Sequence, residues 1–346
     1  MAATQGKLLV RGSINIDEFF VVDHIVRSGE TLSSTSFSRR AGGKGANQAV
    51  SAARAGAAVD FAGTIGNDGA WLRDTLSSYG LGLSLLAMDE SLPTGRAIIQ
   101  LSSSTADNSI VLLPGANFTS SPSPLASLSS SKLSSYTHLL LQNEIPLEST
   151  KQALRVAKSA GLTTILNPSP MLSQEALRSF EFEKLDWLLI NEGEGEDLVA
   201  ALSTSAEAEA PASGPEDVLR RLRETRLSGL TGIIMTRGAD GVMASLKGGE
   251  LVNVGAGKVE GGVKDTTGAG DCFTGFFATL LSTLTPTPSA PPSTDKLKKI
   301  LSIACQAAAM CVENPGAMES VPSLKDVKQR MGEKWAEGQE WERLLQ

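Results

Sequence analysis

The stretch Asp265-Thr266-Thr267-Gly268-Ala269-Gly270-Asp271 sets a glycine-rich turn between two aspartates. The apolar run Cys-Phe-Thr-Gly-Phe-Phe-Ala-Thr-Leu-Leu, residues 272–281, follows at once and predicts a helix. Glycines permit unusual backbone angles and a close approach of a ligand to the backbone. The first amides of a helix have no acceptor within it, and the helix dipole favours negative charge there. The amides of residues 268–271 therefore predict an anion site.

Asp271 has two interpretations. A carboxylate in the first helical turn is an ordinary N-terminal capping choice. Capping does not explain why a carboxylate coincides with an anion site, whereas phosphoryl transfer does. In that reaction the amides bind the transferring phosphoryl group, and the aspartate accepts the proton of the attacking hydroxyl. The chain contains no Gly-x-x-x-x-Gly-Lys-Ser/Thr motif, so the turn is not a Walker A loop.

The composition limits the partners and the compartment. The 346 residues carry a net charge of −7 and no block of five or more lysines and arginines, which argues against nucleic acid or an anionic membrane as a partner. No apolar run reaches the ~18 residues of a membrane span, and the first residues lack the layout of a signal peptide. The cysteines Cys272, Cys305 and Cys311 are not spaced like a disulfide framework. We therefore expect a cytoplasmic protein, with the nucleus as an additional compartment.

Short apolar segments alternate with segments of helical periodicity along most of the chain. Strands are predicted over residues 7–10, 59–63, 137–142, 163–166, 186–190 and 232–236. Helices are predicted over residues 45–57, 71–79, 148–161 and 216–227. This alternation predicts an α/β fold with a central, mainly parallel sheet and helices on both faces. We expect a single domain over residues 1–346, with flexible loops at 203–214 and 284–294.

A second pattern interrupts this alternation. Residues 17–26, 34–40, 96–102 and 109–113 are rich in strand-forming residues and turns, with no helix between the members of each pair. They are predicted to pair antiparallel as a small separate sheet that could act as a lid.

The segment Ala41-Gly42-Gly43-Lys44-Gly45-Ala46-Asn47-Gln48-Ala49 matches a dinucleotide-binding fingerprint only in part. Gln48 stands at the position of the third glycine, and no well-defined strand closely precedes the segment, which argues against a Rossmann dehydrogenase. Lys44, Asn47 and the glycines instead offer hydrogen-bond donors at the start of a helix, which suits a polyhydroxylated ligand. A plain glycine turn into a helix is the alternative.

Together these motifs resemble the ribokinase branch of the PfkB carbohydrate kinase family. Gly12-Ser13-Ile14-Asn15-Ile16-Asp17 is similar to the family's N-terminal sugar-binding segment, residues 42–49 to its first signature, and residues 265–271 to its second. The resemblance extends from Lys7 to Pro322. It implies a ribokinase-like three-layer α/β/α fold with a small β-sheet lid, formed by residues 14–40 and 94–114, that covers the sugar. It also implies ATP-dependent phosphorylation of D-ribose at its 5-hydroxyl.

The resemblance further assigns residues to the two substrates. The sugar hydroxyls would be held by Asn15, Asp17, Gly43, Lys44, Asn47, Glu144 and Asp271. The nucleotide would be held by Asn191, Thr236, Arg237, Gly238, Ala239, Asp240, Gly241, Gly270 and Cys305. The catalytic groups would be the Asp271 base and the amides of Gly268, Ala269, Gly270 and Asp271. A solvated strand-end charge is the alternative for Glu144, and Arg237 either faces solvent or reaches the phosphates.

Two cations are implied as well. Mg²⁺ would accompany ATP and be organised through water by Glu194 of the Asn191-Glu192-Gly193-Glu194 motif. An ordinary acidic residue in a first helical turn is the alternative for Glu194. A potassium ion would activate the enzyme from a cage of mostly carbonyl oxygens. The residues implied for this cage are Asp265, Thr267, Cys311, Asn314, Gly316 and Ser320.

Other substrates and an assembly follow from the same resemblance. Fructose, deoxyribose, 2-keto-3-deoxygluconate and adenosine are the alternative substrates within the family. A non-catalytic sugar or nucleotide sensor on the same fold is a further alternative, but a binder has no need of a base such as Asp271 within the anion site. A homodimer formed through the open edges of the lid is also expected.

Overall fold

The structure is a computed structural model that describes residues 7–105, 107–120, 125, 128, 130–203, 211–284 and 291–332. Most of the two predicted flexible loops, residues 204–210 and 285–290, lies outside the described residues, so both loops stay predictions. None of the helices within the described ranges combines the length and the apolar character that a membrane span requires.

Strands and helices alternate along the described chain. The strands are β1 (Lys7–Arg11), β2 (Asn15–Val22), β3 (Ser36–Gly42), β4 (Ala58–Ala62), β5 (Thr64–Ile65), β6 (Ala87–Met88), β7 (Gly95–Ser102), β8 (Asn108–Leu113), β9 (His138–Leu141), β10 (Thr163–Leu166), β11 (Trp187–Asn191), β12 (Gly232–Thr236), β13 (Val242–Leu246) and β14 (Leu251–Val254). The helices are α1 (Lys44–Arg54), α2 (Ala70–Ser78), α3 (Ser130–Leu133), α4 (Leu147–Ser159), α5 (Gln174–Arg178), α6 (Glu192–Leu202), α7 (Pro215–Arg223), α8 (Ala269–Leu284), α9 (Thr294–Cys311) and α10 (Leu324–Met331).

An eight-stranded sheet forms the centre of the molecule, in the order β14-β13-β12-β11-β10-β9-β1-β4. All pairs from β12 to β4 are parallel, whereas β13 and β14 add an antiparallel edge. Parallel neighbours require crossover connections, and helices supply most of them here. The predicted central, mainly parallel sheet is confirmed, although β13 and β14 were not predicted.

The side chains of the central strands alternate between two apolar cores. In β9, Leu140 packs into one core, whereas Leu139 and Leu141 pack into the other. This follows from the pleat, which points successive side chains to opposite faces of the sheet. Helices α1, α2, α8, α9 and α10 cover the first core, and α4, α5, α6 and α7 cover the second. The result is a three-layer α/β/α arrangement.

A separate four-stranded sheet, which we call the lid sheet, has the order β3-β2-β7-β8. Its two outer pairs are antiparallel, as predicted, but its central pair is parallel, with Asn15 opposite Gly95. The antiparallel pairing predicted within each pair is confirmed, and the parallel contact between β2 and β7 joins the two pairs into one sheet. The chain passes through β4 and α2 between the two central strands, and such a long crossover lets it return in the same direction.

Helices α1 and α8 pack against each other without a gap, along what we call the α1–α8 seam. A Cβ added to Gly275 of α8 would lie 2.6 Å from the carbonyl oxygen of Gln48, so no larger residue fits there. The Ser51 hydroxyl donates to the carbonyl oxygen of Cys272 at 2.7 Å, and the Thr279 hydroxyl donates to that of Ala52 at 3.0 Å. These contacts fix the positions of the two helices relative to each other.

Candidate active site

The candidate site lies where the parallel strands end. The carboxyl ends of β1, β9, β11 and β12 meet at one edge of the central sheet because these strands run in the same direction. Ser13 follows β1, Glu144 follows β9, Asn191 ends β11 and Thr236 ends β12. Polar residues that are far apart in the chain are thereby brought to one edge.

Asp17 of β2 lies among other carboxylates. Its side chain occupies the space beside Gly42, where an added Cβ would overlap the carboxylate. Burial, together with the nearby carboxylates of Glu144, Glu319 and Asp271, raises the pKa of Asp17 to about 7. Ionised carboxylates accept stronger hydrogen bonds than neutral groups do. The strength of Asp17 as an acceptor for a hydroxyl therefore changes near neutral pH.

Asn15, the first residue of β2, is oriented by Asn117. The Oδ1 of Asn117 accepts from the Ile14 N–H at 2.9 Å, which identifies the opposite side of this amide as its NH₂ group. That group donates to the Ile14 carbonyl oxygen at 3.2 Å and to Asn15 Oδ1 at 2.8 Å. The NH₂ group of Asn15 consequently faces away from Asn117, as a donor.

Glu144 is held at the start of α1. Its Oε2 accepts from the Ser13 hydroxyl at 2.6 Å and from the Lys44 N–H at 2.9 Å. The Ser13 hydroxyl oxygen in turn accepts from the Gly45 N–H at 3.2 Å. The carboxylate therefore uses the positive end of the α1 dipole and is not simply a solvated charge at a strand end.

Asp271 lies in the first turn of α8 and is 7% exposed. Asn47 Nδ2 donates to its Oδ2 at 3.0 Å, and Gln48 Nε2 donates to its Oδ1 at 2.8 Å. Each carboxylate oxygen has more than one lone pair, so both can still accept from a substrate hydroxyl. The Oδ1 of Asn47 is buried and has no hydrogen-bond partner among the described residues. A ligand hydroxyl would satisfy it.

The loop before α8 is tightly fitted. Gly268 has a φ of +78°, and a Cβ added to it would lie 2.8 Å from the Cα of Ala317. Ala269, Gly270 and Asp271 form the first helical turn, where N–H groups lack an acceptor within the helix. The Ala269 N–H donates to the carbonyl oxygen of Thr266 at 3.3 Å, which leaves it the least available of the predicted anion-binding amides.

A largely apolar cavity of about 330 Å³ adjoins this loop. Among the residues assigned to the nucleotide, its lining includes Thr236, Gly238, Ala239, Gly241, Gly270 and Cys305. Val259, Val263 and Ala309 also line it and were not predicted from the sequence. A mostly apolar cavity with a few polar groups is typical of a site for a small molecule or cofactor. Burial raises the pKa of the Cys305 thiol to about 12, so Cys305 contributes packing and no charge.

Three residues assigned to the nucleotide lie outside the lining of this cavity: Asn191, Arg237 and Asp240. Arg237 Nε pairs with Glu192 Oε1 at 3.2 Å, and Asp240 is exposed. Asn191 Oδ1 accepts from the Glu194 N–H at 2.8 Å, while Glu194 Oε2 accepts from the Asn191 N–H at 2.9 Å. This reciprocal pair is a capping box that starts α6.

Asp265 joins the loop before α8 to the segment after α9. Its Oδ1 accepts from the Thr267 N–H and its Oδ2 from the Gly316 N–H, both at 2.9 Å. Burial alone would raise the pKa of Asp265. The hydrogen bonds from Gly316 and Thr267 outweigh this effect and hold the pKa below its ordinary value. Two of the segments implied for a monovalent cation are thereby in contact.

Other residues implied for that cation have further partners. The Sγ of Cys311 lies 2.9 Å from the Oγ of Ser320, and both residues are buried. The carbonyl oxygen of Cys311 accepts from the Asn314 N–H at 3.1 Å, and the side chain of Asn314 is exposed.

Several orienting residues of the site were not predicted from the sequence. Ser13 and Gln48 lie within the quoted motifs, but the sequence predicted no role for them. Asn117 lies outside those motifs. A detectable signal existed for Gln48, because it stands among the apolar residues Ala49 and Val50 on the buried side of α1. A buried amide in such a setting requires hydrogen-bond partners.

Known proteins place the chain in a family. The profile of the pfkB family carbohydrate kinases matches residues 5–324. A ribokinase of Haemophilus influenzae is 33% identical over 324 residues, which cover 92% of this chain and 96% of the relative. The crystal structure of ribokinase from Cryptococcus neoformans var. grubii serotype A in complex with ADP is 45% identical, covers 94% of this chain and 99% of its own, and has a TM-score of 0.79. The structure of Arabidopsis thaliana ribokinase complexed with ribose and ATP is 27% identical, covers 95% and 99%, and also has a TM-score of 0.79. The predicted ribokinase-like fold is confirmed, and the chain belongs to the pfkB family of carbohydrate kinases.

Proposed function

We propose that this kinase transfers the γ-phosphoryl group of ATP to the 5-hydroxyl of D-ribose. The observation that carries the proposal is the position of Asp271. Its carboxylate meets the polar groups of α1, while the adjacent Gly270 lines the neighbouring cavity. The similarity to ribokinases, including one complexed with ADP and one with ribose and ATP, supports this choice of substrates.

In the proposed reaction Asp271 accepts the proton of the attacking hydroxyl. The hydroxyl oxygen bonds to the γ-phosphorus as the bond from that phosphorus to the β–γ bridging oxygen breaks, which gives the sugar phosphate and ADP. The amides of Gly268, Gly270 and Asp271 stabilise the charge on the transferring group. Ala269 contributes least, since its N–H already has an acceptor.

The sugar is recognised by donors and acceptors together. Asn15 supplies an NH₂ group, Asp17 and Glu144 supply carboxylates, and Asn47 supplies the unpartnered Oδ1. Gly43 and Lys44 contribute the turn into α1. A hydroxyl both donates and accepts, so an analogue that lacks one leaves a buried group unpaired and binds more weakly.

The chain offers groups for two cations. The capping box uses Glu194 Oε2, so the other carboxylate oxygen can hold a water molecule of a Mg²⁺ ion that screens the charge of the phosphates. Within the described ranges, no three or more His, Cys, Asp or Glu side chains are grouped to hold a metal ion. A monovalent cation beside Asp265 would therefore depend on carbonyl and hydroxyl oxygens, a donor set that suits K⁺.

The lid sheet carries Asn15 and Asp17 and would close over the bound sugar to exclude water. On the face opposite Asp17 it also exposes apolar side chains: Phe37 is 57% exposed, Val111 59% and Ile98 39%. Such a patch supports a homodimer formed through the lid. Light scattering that finds only monomers would contradict this assembly. A cytoplasmic location is proposed because all three cysteines are free thiols.

The test is ADP release by the purified enzyme with ribose, deoxyribose, fructose, 2-keto-3-deoxygluconate and adenosine. Ribose should give the highest kcat/KM, and the product should carry its phosphate on the 5-oxygen by NMR. Asp271→Asn should lower kcat at least ~100-fold, the usual effect of losing a general base. Asp74→Asn, at an exposed aspartate of α2, is the matched control and should leave kcat unchanged. Near-normal turnover of Asp271→Asn would refute the mechanism.

A further inference from the structure

Gln48 of α1 is fully buried, and its amide makes three hydrogen bonds. Its Nε2 donates to Asp271 Oδ1 at 2.8 Å and to Asn167 Oδ1 at 3.0 Å. Its Oε1 accepts from Gln142 Nε2 at 2.7 Å. Asn167 and Gln142 thus hold the side chain from the side of the central sheet. Both protons of its NH₂ group are engaged in hydrogen bonds.

A backbone carbonyl of the central sheet decides which way these amides face. The carbonyl oxygen of Leu189 in β11 can only accept, so the group of Asn167 that lies 3.0 Å from it is the NH₂ group. The Oδ1 of Asn167 is then the acceptor on the other side, and the group of Gln48 that faces it must be NH₂. The remaining proton of that NH₂ points to Asp271. The sheet therefore sets the donor to Asp271 independently of the carboxylate.

We propose that Gln48 is a positioning residue that holds the Asp271 carboxylate in the orientation required for proton abstraction. The inference rests on the proposed function, in which Asp271 is the base. The terminal torsion of an aspartate is broad when nothing restrains it. Asn47 and Gln48 each donate to a different oxygen of Asp271, so together they fix the plane of the carboxylate.

Asn47 and Gln48, the two donors to Asp271, differ in what else they can bind. Asn47 keeps one buried oxygen without a partner, which a sugar hydroxyl can satisfy. Gln48 has no such free group, because its three polar contacts are all with protein. One of its N–H groups donates directly to the Asp271 carboxylate, whose orientation it therefore restrains. Removing Gln48 should therefore affect the chemical step and leave substrate binding intact.

Gln48→Met removes these hydrogen bonds at nearly constant volume. We expect kcat to fall about 10- to 100-fold, the scale for misplacing a reacting group by about 1 Å. The KM values for sugar and ATP should change by less than about twofold, since the lost interaction is not with a substrate. Gln142→Met is the matched control, because it removes a buried bond to Gln48 but no bond to Asp271. Equal losses of kcat in both variants, or a KM effect as large as the kcat effect, would overturn the proposal.

The double variant Gln48→Met/Asp271→Asn separates positioning from general structural damage. If Gln48 acts through the carboxylate, the double variant should be no slower than Asp271→Asn alone, within about twofold. A full multiplication of the two losses would count against the proposal. Gln48→Glu serves if the Met variant folds poorly, because it has the same shape but places a second carboxylate against Asp271. Its kcat should fall at least ~10-fold relative to wild type, and a wild-type kcat would overturn the inference.

The outcomes also distinguish this inference from the proposed function. A different preferred sugar leaves the Gln48 experiment intact with that sugar as substrate. An active Asp271→Asn variant defeats the proposed mechanism itself. An inactive Asp271→Asn with an undiminished Gln48→Met defeats the positioning role alone.

Discussion

Replacing Asp17 with Asn should stabilise the folded protein at alkaline pH while weakening sugar binding. Burial and the neighbouring carboxylates raise the pKa of Asp17 from its ordinary value of 3.8 to about 7. The folded state therefore binds this proton more tightly than the unfolded state does. Its stabilising contribution is complete below pH 3.8 and is lost as the pH rises through 7. The full shift corresponds to about 4 kcal/mol, and partial solvation of the side chain reduces this to about 2–3 kcal/mol.

Urea unfolding of the sugar-free proteins between pH 4.5 and 8.5 measures this difference. The advantage of Asp17→Asn over wild type should be smallest at the acid end and grow by about 2–3 kcal/mol by pH 8. Asp74→Asn, at an exposed aspartate of α2, is measured alongside as the matched control substitution. In parallel, the KM of the wild type for ribose should fall as the pH rises through 7, because the ionised carboxylate is the stronger acceptor. A stability advantage that is equal at both ends of the range would refute the reasoning.

Three further changes probe separate parts of the structure. Gly268→Ala forces a Cβ into a left-handed turn, 2.8 Å from the Cα of Ala317, and kcat should fall at least ~10-fold. An unchanged kcat would show that this loop does not shape the phosphoryl site. Burial lowers the pKa of His138 from 6.5 to about 4, so the unfolded state binds this proton more tightly than the folded state does. The protein therefore loses stability as the pH falls through this window, and the Tm of His138→Leu should decline less than that of the wild type from pH 7 to 5. Parallel declines would contradict that assignment. Since burial raises the pKa of Cys305 to about 12, iodoacetamide at pH 8 should leave this thiol unmodified in the native protein, as peptide mass spectrometry can establish; rapid labelling would mean that α9 opens.

The sequence predicted those parts of the fold that depend on local pattern. The central strands and the main helices have strong periodicity, and they occur close to the predicted positions. The hairpin of β13 and β14 was missed because its short strands flank Lys247, Gly248 and Gly249, and a turn-rich stretch gives little periodic signal. The parallel pairing of β2 with β7 joins residues far apart in the chain, such as Asn15 and Gly95, and depends on how the chain crosses over.

The candidate site likewise contains some residues that the local sequence identifies and others that only the packing of the fold brings together. Asp271 could be singled out from the sequence because its glycines and its helix are its immediate neighbours. The contact of Gln48 with Asp271 spans 223 positions and is created by the packing of two helices, so no local pattern encodes it. Asn117 orients Asn15 from a turn whose sequence carries no signal for sugar binding, and only the fold brings the two amides together.

The α1–α8 seam has a consequence for how the two substrates are aligned. Three of the residues assigned to the sugar, Gly43, Lys44 and Asn47, lie at the start of α1, and those assigned to the phosphoryl group lie at the start of α8. Because Gly275 lets the two helices touch, the spacing between acceptor and donor is built in before either substrate arrives. The seam fixes this spacing whether or not the lid sheet closes as proposed above. A larger residue at position 275, remote from both substrates, would then produce an enzyme that still binds both but aligns them badly.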